Sequence, residues 1–218
     1  MKKDTYRTLA EPTQGAFKDR GSKFLAYAYP VDSLTEIKEY LSTVRKIHPK
    51  ARHWCYAYRL GLDNSMFRMN DDGEPSGTAG RPILGRIDSF DLTNTLIIVV
   101  RYFGGTLLGA SGLINAYKTS AELSLLEAEI IEKLVKDVYQ LTFDYSIMST
   151  VMNTIKKLNL KPYAQDFTDN GKLSVAIRQN EVTNTLIQLK AGIGKIPLEM
   201  AETVDKIEGL DIEYVHTI

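Results

Sequence analysis

The sequence has little cysteine and no long apolar run, and each shortage excludes a class of protein. A single cysteine, Cys55, cannot form an internal disulfide, and no Asn-x-Ser/Thr site occurs, so a disulfide-stabilised secreted domain is excluded. No apolar stretch approaches the ~20 residues that span a bilayer. The N-terminal residues also lack the apolar segment of a signal peptide. We therefore expect a cytoplasmic protein without membrane contact.

An excess of charge of either sign is also missing. The 27 Lys and Arg residues balance 27 Asp and Glu residues, so composition alone gives no argument for nucleic acid. The three histidines and Cys55 show no zinc-ligand spacing, and we expect no cofactor. At 218 residues the chain has room for two modest domains, each with its own core.

Apolar and turn patterns divide the chain near Lys133 into domains 1–133 and 134–218. In the first domain, Ser33 and Glu36 predict a capping box at the start of a helix. The apolar run Leu96–Val100 predicts a strand that is covered on both faces. A strand at Arg52–Leu60 is expected to pair with one at Ser65–Met69.

The second domain shows the order β-α-β-β-α-β, with an Asn170-Gly171 hairpin signal between its two middle strands. This order is typical of ferredoxin-like domains. The fold class predicted from the pattern is therefore α+β, with an α/β domain first and a ferredoxin-like domain second.

Two loops, residues 70–82 and 101–112, together contain seven glycines. Glycine at this density is needed where the backbone takes positive φ or lets a ligand come close, and we expect positive φ at Gly105. Each loop precedes a helical pattern, so both are expected to leave free N–H groups at a helix start, where anions are favoured. Ser76 and Thr78 are expected to cap the first of these helices. We interpret the two loops as the functional face.

The segment Gly104–Ser111 has the spacing of a phosphate-binding P-loop, but Ala110 replaces its lysine. Nucleotide hydrolysis of the P-loop kind is therefore not expected. The loop can instead bind an anion, or its glycines can serve a tight crossover without a ligand. The candidate anion- or nucleic-acid-binding residues are Lys23, His53, Arg81, Arg101, Gly104, Gly105, Gly109, Gly112 and Lys118.

Three acids, Asp71, Asp72 and Glu74, are weak candidates for a Mg²⁺ site, although acids beside a glycine are also common turn residues. His53 and Cys55 cannot form a catalytic dyad on one strand, because residues i and i+2 stand ~6.6 to 6.8 Å apart. We therefore expect a buried Cys55 and assign no catalytic residue.

Aromatic side chains alternate along two expected strands, as Trp54, Tyr56 and Tyr58 on one and Tyr27 and Tyr29 on the other. Such a row can stack the bases of a single-stranded nucleic acid, or it can form one side of a core. The period of two favours the core.

Four segments, residues 21–24, 52–58, 71–82 and 99–113, closely resemble the Impact family, of which YigZ and YvyE are bacterial members. The resemblance implies a first domain like those of ribosomal and RNase PH-type proteins, with a left-handed βαβ unit. It implies a second domain like the fifth domain of elongation factor G. Ser111 stands where glycine is usual, and Asn115 stands where arginine is usual, which removes a cation from the expected anion site.

The loops and the resemblance lead to one principal hypothesis. The chain is a non-enzymatic, translation-associated protein that contacts RNA or the ribosome through a glycine-rich, partly basic cleft. Two alternatives stay open: a metal-dependent enzyme that acts on a small phosphorylated or nucleotide substrate, and a peptide-binding module. The resemblance links eukaryotic members to translational control through an additional domain, so that mechanism is not expected to transfer.

Overall fold

The computed structural model describes residues 4–62, 66–168 and 170–218. The chain divides into two compact units, one of Tyr6–Lys133 and one of Leu134–Ile218 together with Asp4 and Thr5. Asp4 belongs with the second unit for a physical reason. Its carbonyl accepts from the Val135 N–H at 2.7 Å, and its carboxylate accepts from Arg178 Nε at 2.7 Å.

The first unit is built around an antiparallel five-stranded sheet. Its elements in chain order are β1 (Thr5–Leu9), β2 (Thr13–Asp19), β3 (Ser22–Pro30), α1 (Leu34–Ile47), β4 (His53–Leu60), β5 (Met66–Asn70), α2 (Gly80–Ser89), β6 (Thr95–Tyr102), α3 (Gly109–Leu126) and β7 (Ile130–Leu134). The sheet order is β2-β3-β6-β4-β5, and β1 pairs separately with β7. The expected strand start at Ser65 lies outside the described residues.

The central strand β6 is buried on both faces, as its uninterrupted apolar pattern predicts. Ile97 and Val99 join a core that includes residues of α2 and α3. Leu96, Ile98 and Val100 face the opposite core, which includes residues of α1. The five-stranded sheet therefore separates two apolar layers.

The aromatic row belongs to the layer beside α1. Tyr27 and Tyr58 are buried there, and Trp54, Tyr56 and Tyr29 pack against the same core. The interpretation of this row as core is confirmed, and it does not form a base-stacking platform.

Helix α1 begins as the sequence predicts. Ser33 Oγ accepts from the Glu36 N–H at 3.2 Å, and Glu36 Oε2 accepts from the Asp32 N–H at 2.7 Å. These bonds satisfy N–H groups that have no partner within the helix.

The second unit contains an antiparallel sheet of order β11-β8-β10-β9. Its elements are β8 (Lys136–Phe143), α4 (Met148–Lys157), β9 (Pro162–Phe167), β10 (Gly171–Arg178), α5 (Val182–Gly194), α6 (Leu198–Thr203) and β11 (Leu210–Thr217). Its core joins sheet residues such as Leu141 and Val175 to Val151 of α4 and Leu189 of α5. The expected β-α-β-β-α-β order is present, with the short helix α6 added.

None of the helices in the described ranges is long and apolar enough to cross a membrane.

Candidate functional site

The first glycine-rich loop closes over the start of α2 with its own carboxylate. Asp71 Oδ1 accepts from the N–H groups of Ala79 and Gly80 at 3.0 and 2.8 Å, and Oδ2 accepts from Gly77 at 2.9 Å. Burial alone would raise the pKa of Asp71, but these three donors and nearby Arg81 outweigh it and lower the pKa. The expected anion site at this helix start is therefore already filled.

The expected cap residues act elsewhere. Helix α2 has no side-chain hydrogen bond from its N-cap residue Ala79, and Thr78 Oγ1 donates to the Pro75 carbonyl at 2.6 Å. The expectation that Ser76 and Thr78 cap α2 is wrong for Thr78, because the Asp71 carboxylate occupies the N–H groups that a cap would take.

The three acids of this loop have separate partners. Asp72 Oδ1 pairs with Arg45 at 3.1 Å, and its Oδ2 accepts from the Trp54 N–H at 2.8 Å. Glu74 Oε1 accepts from Arg101 Nη1 at 2.6 Å. Across the described ranges, no group of three His, Cys, Asp or Glu side chains is placed to hold a metal ion. The described geometry therefore gives no support to the Mg²⁺ hypothesis for Asp71, Asp72 and Glu74, which stays a prediction.

The second glycine-rich loop leaves β6 by passing against the β2–β3 turn. A Cβ on Gly104 would stand only 1.9 Å from the carbonyl carbon of Gly21, and the Gly104 N–H donates to Ser22 Oγ at 3.1 Å. The backbone φ is +89° at Gly105 and +72° at Gly109. The prediction of positive φ at Gly105 is confirmed.

Helix α3 starts without a side-chain cap. Its N-cap residue is Leu108, which offers no hydrogen-bonding side chain. The first N–H groups of an uncapped helix have no partner within the helix, and they carry the positive end of its dipole. Of the two helix starts beside the glycine-rich loops, only the start of α2 is filled by a carboxylate among the described residues, and the start of α3 can accept an anion.

A cavity of about 740 Å³ lies between the two loops, and we call it the loop cleft. This volume is in the range of small-molecule sites. The residues that line it are Lys50, Arg52, His53, Gly73, Glu74, Pro75, Arg101, Tyr102, Phe103, Leu107, Leu108, Gly109, Ala110 and Leu113.

Arg101 lies at the floor of the loop cleft, and it differs from expectation. It is 5 % exposed and forms an ion pair with Glu74, so it is not a free surface cation. Its guanidinium carbon lies 5.5 Å from the ring centroid of Phe24 and 5.6 Å from that of Phe103. The Nε atom is buried, with no acceptor among the described residues.

A buried network continues from Glu74 into the core. The Tyr117 hydroxyl donates to Glu74 Oε1 at 2.8 Å, and Cys55 Sγ lies 3.3 Å from that hydroxyl and 3.0 Å from the Asp71 carbonyl. Burial raises the pKa of both Cys55 and Tyr117. Cys55 is therefore a neutral, buried thiol, as expected.

His53 reaches the loop cleft from the first residue of β4. Its Nδ1 lies 2.9 Å from the Asp72 carbonyl, and a carbonyl can only accept, so Nδ1 carries the proton. In the neutral ring, Nε2 then keeps a lone pair.

Tyr102 lines the cleft where β6 ends. Its hydroxyl lies 2.9 Å from His48 Nδ1, and the Tyr27 hydroxyl lies 2.6 Å from His48 Nε2. Burial and the charge of Lys23 lower the pKa of His48, which favours the neutral ring between the two hydroxyls.

The structure brings together three of the residues expected at the anion site: His53, Arg101 and Gly109. Gly104, Gly105 and Gly112 shape the second loop and α3 without lining the cleft. The other three candidates, Lys23, Arg81 and Lys118, are exposed residues that do not line it.

The cleft takes its exposed cations from a different place. Lys50 and Arg52 are exposed, line the cleft, and have no ion-pair partner among the described residues. They lie in the connection between α1 and β4. Because this connection is far in sequence from the glycine-rich loops, the sequence did not indicate that they line the cleft. Arg52 falls within one of the family-like segments, which was the available signal.

Comparison with known proteins identifies the family. Residues 20–125 match the model of the Impact N-terminal domain. An IMPACT family member of Haemophilus influenzae is 31 % identical over 186 residues, which cover 83 % of this chain and 89 % of that protein. The chain belongs to the Impact family.

Two further comparisons extend over most of the chain. The IMPACT family member YvyE of Bacillus subtilis is 30 % identical over 177 residues, 81 % of this chain and 82 % of YvyE. The crystal structure of a hypothetical protein is 26 % identical and superposes with a TM-score of 0.74, covering 98 % of each chain. The Impact family assignment therefore includes the second unit as well as the first.

Proposed function

We propose that this Impact-family chain is a non-enzymatic, translation-associated protein that binds single-stranded RNA, free or within the ribosome, through the loop cleft. The observation that carries the proposal is the uncapped start of α3 beside two exposed cations, Lys50 and Arg52, that have no ion-pair partner among the described residues. A helix start that offers free N–H groups binds phosphate, and neighbouring cations strengthen the attraction.

The side chains on the wall of the cleft favour the binding of a nucleic acid over the binding of an inorganic anion. Phe103 is 54 % exposed and Leu107 is 82 % exposed, and both line the cleft. Aromatic side chains beside a basic groove stack the bases of single-stranded nucleic acids. Phe103, and not the buried aromatic row, is therefore the aromatic residue that stacks a base.

The translation-related part of the proposal rests on family membership. From the same resemblance we infer that the first unit has the fold of ribosomal and RNase PH-type domains. We also infer that the second unit has the fold of the fifth domain of elongation factor G. The β-α-β-β-α-β order and the sheet order β11-β8-β10-β9 support the second of these assignments.

A peptide-binding module is the second candidate, because Leu107 and Phe103 also present apolar surface at the cleft. Peptide binding through apolar contacts predicts an affinity that varies little with salt, whereas phosphate binding predicts a strong decrease.

The test is fluorescence anisotropy of a labelled single-stranded RNA over a series of salt concentrations. The variant Lys50→Glu/Arg52→Glu reverses both cleft cations, and Arg81→Glu/Lys118→Glu is the matched control on exposed cations outside the cleft. Each phosphate contact contributes a slope of roughly −0.7 in log K against log salt. Loss of two contacts should therefore flatten the slope by about 1.4.

We expect weaker binding and a flatter slope for the cleft variant, with the control variant close to the parent. Equal effects in the two variants would place the RNA site elsewhere, and a parent protein that binds no RNA would contradict the proposal.

A further inference from the structure

The floor of the loop cleft holds a buried acceptor and a buried donor side by side. Glu74 uses Oε1 for both Arg101 and Tyr117, and its Oε2 has no partner among the described residues. Arg101 donates to Glu74 through Nη1, while its Nε has no acceptor there. Both side chains line the cleft, and each is more than nine-tenths buried.

This pairing selects against a simple ion at the floor. Because the charges of Glu74 and Arg101 cancel, the pair gives neither a phosphate nor a metal cation a net attraction. A neutral group that presents N–H donors next to a carbonyl oxygen complements the carboxylate and the guanidinium together. The floor therefore fits a polar, uncharged ligand edge.

Guanine has this arrangement of donors and acceptor. Its N1–H and N2–H groups point in one direction and can both donate to a carboxylate, and the neighbouring O6 is an acceptor that arginine contacts when it reads guanine. The other bases present fewer converging donors beside a carbonyl.

The rest of the cleft suits the remainder of a nucleotide. The ring of Phe103 lies 5.6 Å from the Arg101 guanidinium, so a base at the floor lies within reach of an exposed aromatic face. Gly109 and Ala110, at the uncapped start of α3, line the same cavity as Lys50 and Arg52. One cavity of about 740 Å³ thus offers a base site and a phosphate site.

We infer that the loop cleft is a guanine-nucleotide subsite. The base edge binds Glu74 and Arg101, its ring stacks on Phe103, and its phosphate binds at the start of α3. The inference rests on the proposed function, since it names the base that a bound RNA places in the cleft.

The experiment is a competition assay on the full chain. A labelled single-stranded RNA of mixed sequence is displaced by GMP, AMP, CMP or UMP, each added alone. Because specific base contacts discriminate strongly against the wrong base, GMP should compete at concentrations about 10-fold lower than the other three.

Two phenylalanines of similar exposure give a matched pair of variants. Phe103→Ala should raise the GMP concentration needed for half displacement about 5-fold or more, because a stacking partner is lost. Phe67→Ala, on β5 and outside the cleft, should leave it unchanged. Glu74→Gln should bring the GMP and AMP values closer together. If Glu74→Gln does not fold, the comparison of Phe103→Ala with Phe67→Ala still tests the inference.

The possible outcomes separate this inference from the proposed function. RNA binding in which the four nucleotides compete equally, or in which AMP is preferred, overturns the guanine subsite and leaves RNA binding standing. GMP binding without RNA binding supports the subsite and contradicts the proposed function. A protein that binds neither GMP nor RNA overturns both.

Discussion

Replacing Glu74 with glutamine tests whether the cleft floor is held by a buried ion pair. The substitution keeps the shape of the side chain and removes its negative charge. Arg101, which is 5 % exposed and 2.6 Å from Glu74, would then be a buried guanidinium without a counter-charge. Removing one partner of a buried pair costs about 3 to 5 kcal/mol.

The lower end of that range applies because the loop cleft lets water approach one side of the pair. We expect a loss of about 3 kcal/mol in the free energy of unfolding, or a melting temperature lower by roughly 10 °C. Urea unfolding followed by tryptophan fluorescence measures this loss in the first unit alone, since Trp54 is the one tryptophan of the chain.

The double variant Glu74→Gln/Arg101→Met is the control. It removes both charges and places an apolar side chain near Phe24 and Phe103, so it should be more stable than Glu74→Gln alone. A loss below about 1 kcal/mol for Glu74→Gln, or a double variant less stable than the single one, would refute the buried pair.

Three further predictions follow from the loops and the units. Gly104→Ala should lose more than about 2 kcal/mol of unfolding free energy, because the new Cβ meets the Gly21 backbone. Gly105→Ala should lose roughly 1 kcal/mol, because only the positive φ of the residue opposes alanine. Urea titrations in which Gly105→Ala loses more than Gly104→Ala would contradict the loop geometry. Because the folded pKa of Asp71 is lowered, its contribution to stability is complete above the unfolded pKa of about 3.9 and is lost as pH falls through the folded value. Asp71→Asn should therefore destabilise the protein at pH 7 and weaken the pH dependence of unfolding below about pH 4. If the unfolding free energy of the variant depends on acid pH as that of the parent does, the charge of Asp71 does not stabilise the start of α2. Residues 134–218 expressed alone should melt in one cooperative transition, because the second unit has its own core, and a broad calorimetric melt would show that they do not form an independent domain.

Local patterns carried most of the fold. Ser33 and Glu36 lie within one turn of the helix that they start. The residues of β6 alternate between the two cores, as the period of a strand requires. The aromatic row of β4 was also correctly interpreted as core, because its period of two places it on one face of the sheet. In each case the residues that interact are close in sequence or share a simple repeat.

The site depended on contacts that no local pattern contains. Asp71 lies eight residues before Ala79 and nine before Gly80, and its carboxylate accepts from both N–H groups. The start of α2 is therefore filled, although its glycine-rich loop resembles the one before α3. Arg101 and Glu74 are 27 residues apart in sequence. Because the two side chains pair, Arg101 is buried at the floor of the cleft and is not the surface cation that the sequence predicts. Lys50 and Arg52 reach the cleft because β4 and β6 are neighbours in the sheet, which the sequence alone does not specify.

The most direct test of RNA binding at the loop cleft is an NMR titration of the ¹⁵N-labelled protein with a short single-stranded RNA. The account predicts that the amide signals of Gly109, Ala110 and Ser111, at the open start of α3, shift most. The amides of Ala79 and Gly80, which Asp71 already holds, should move little. Shifts that are largest at the start of α2 or in the second unit, or that are absent from the start of α3, would contradict the central claim.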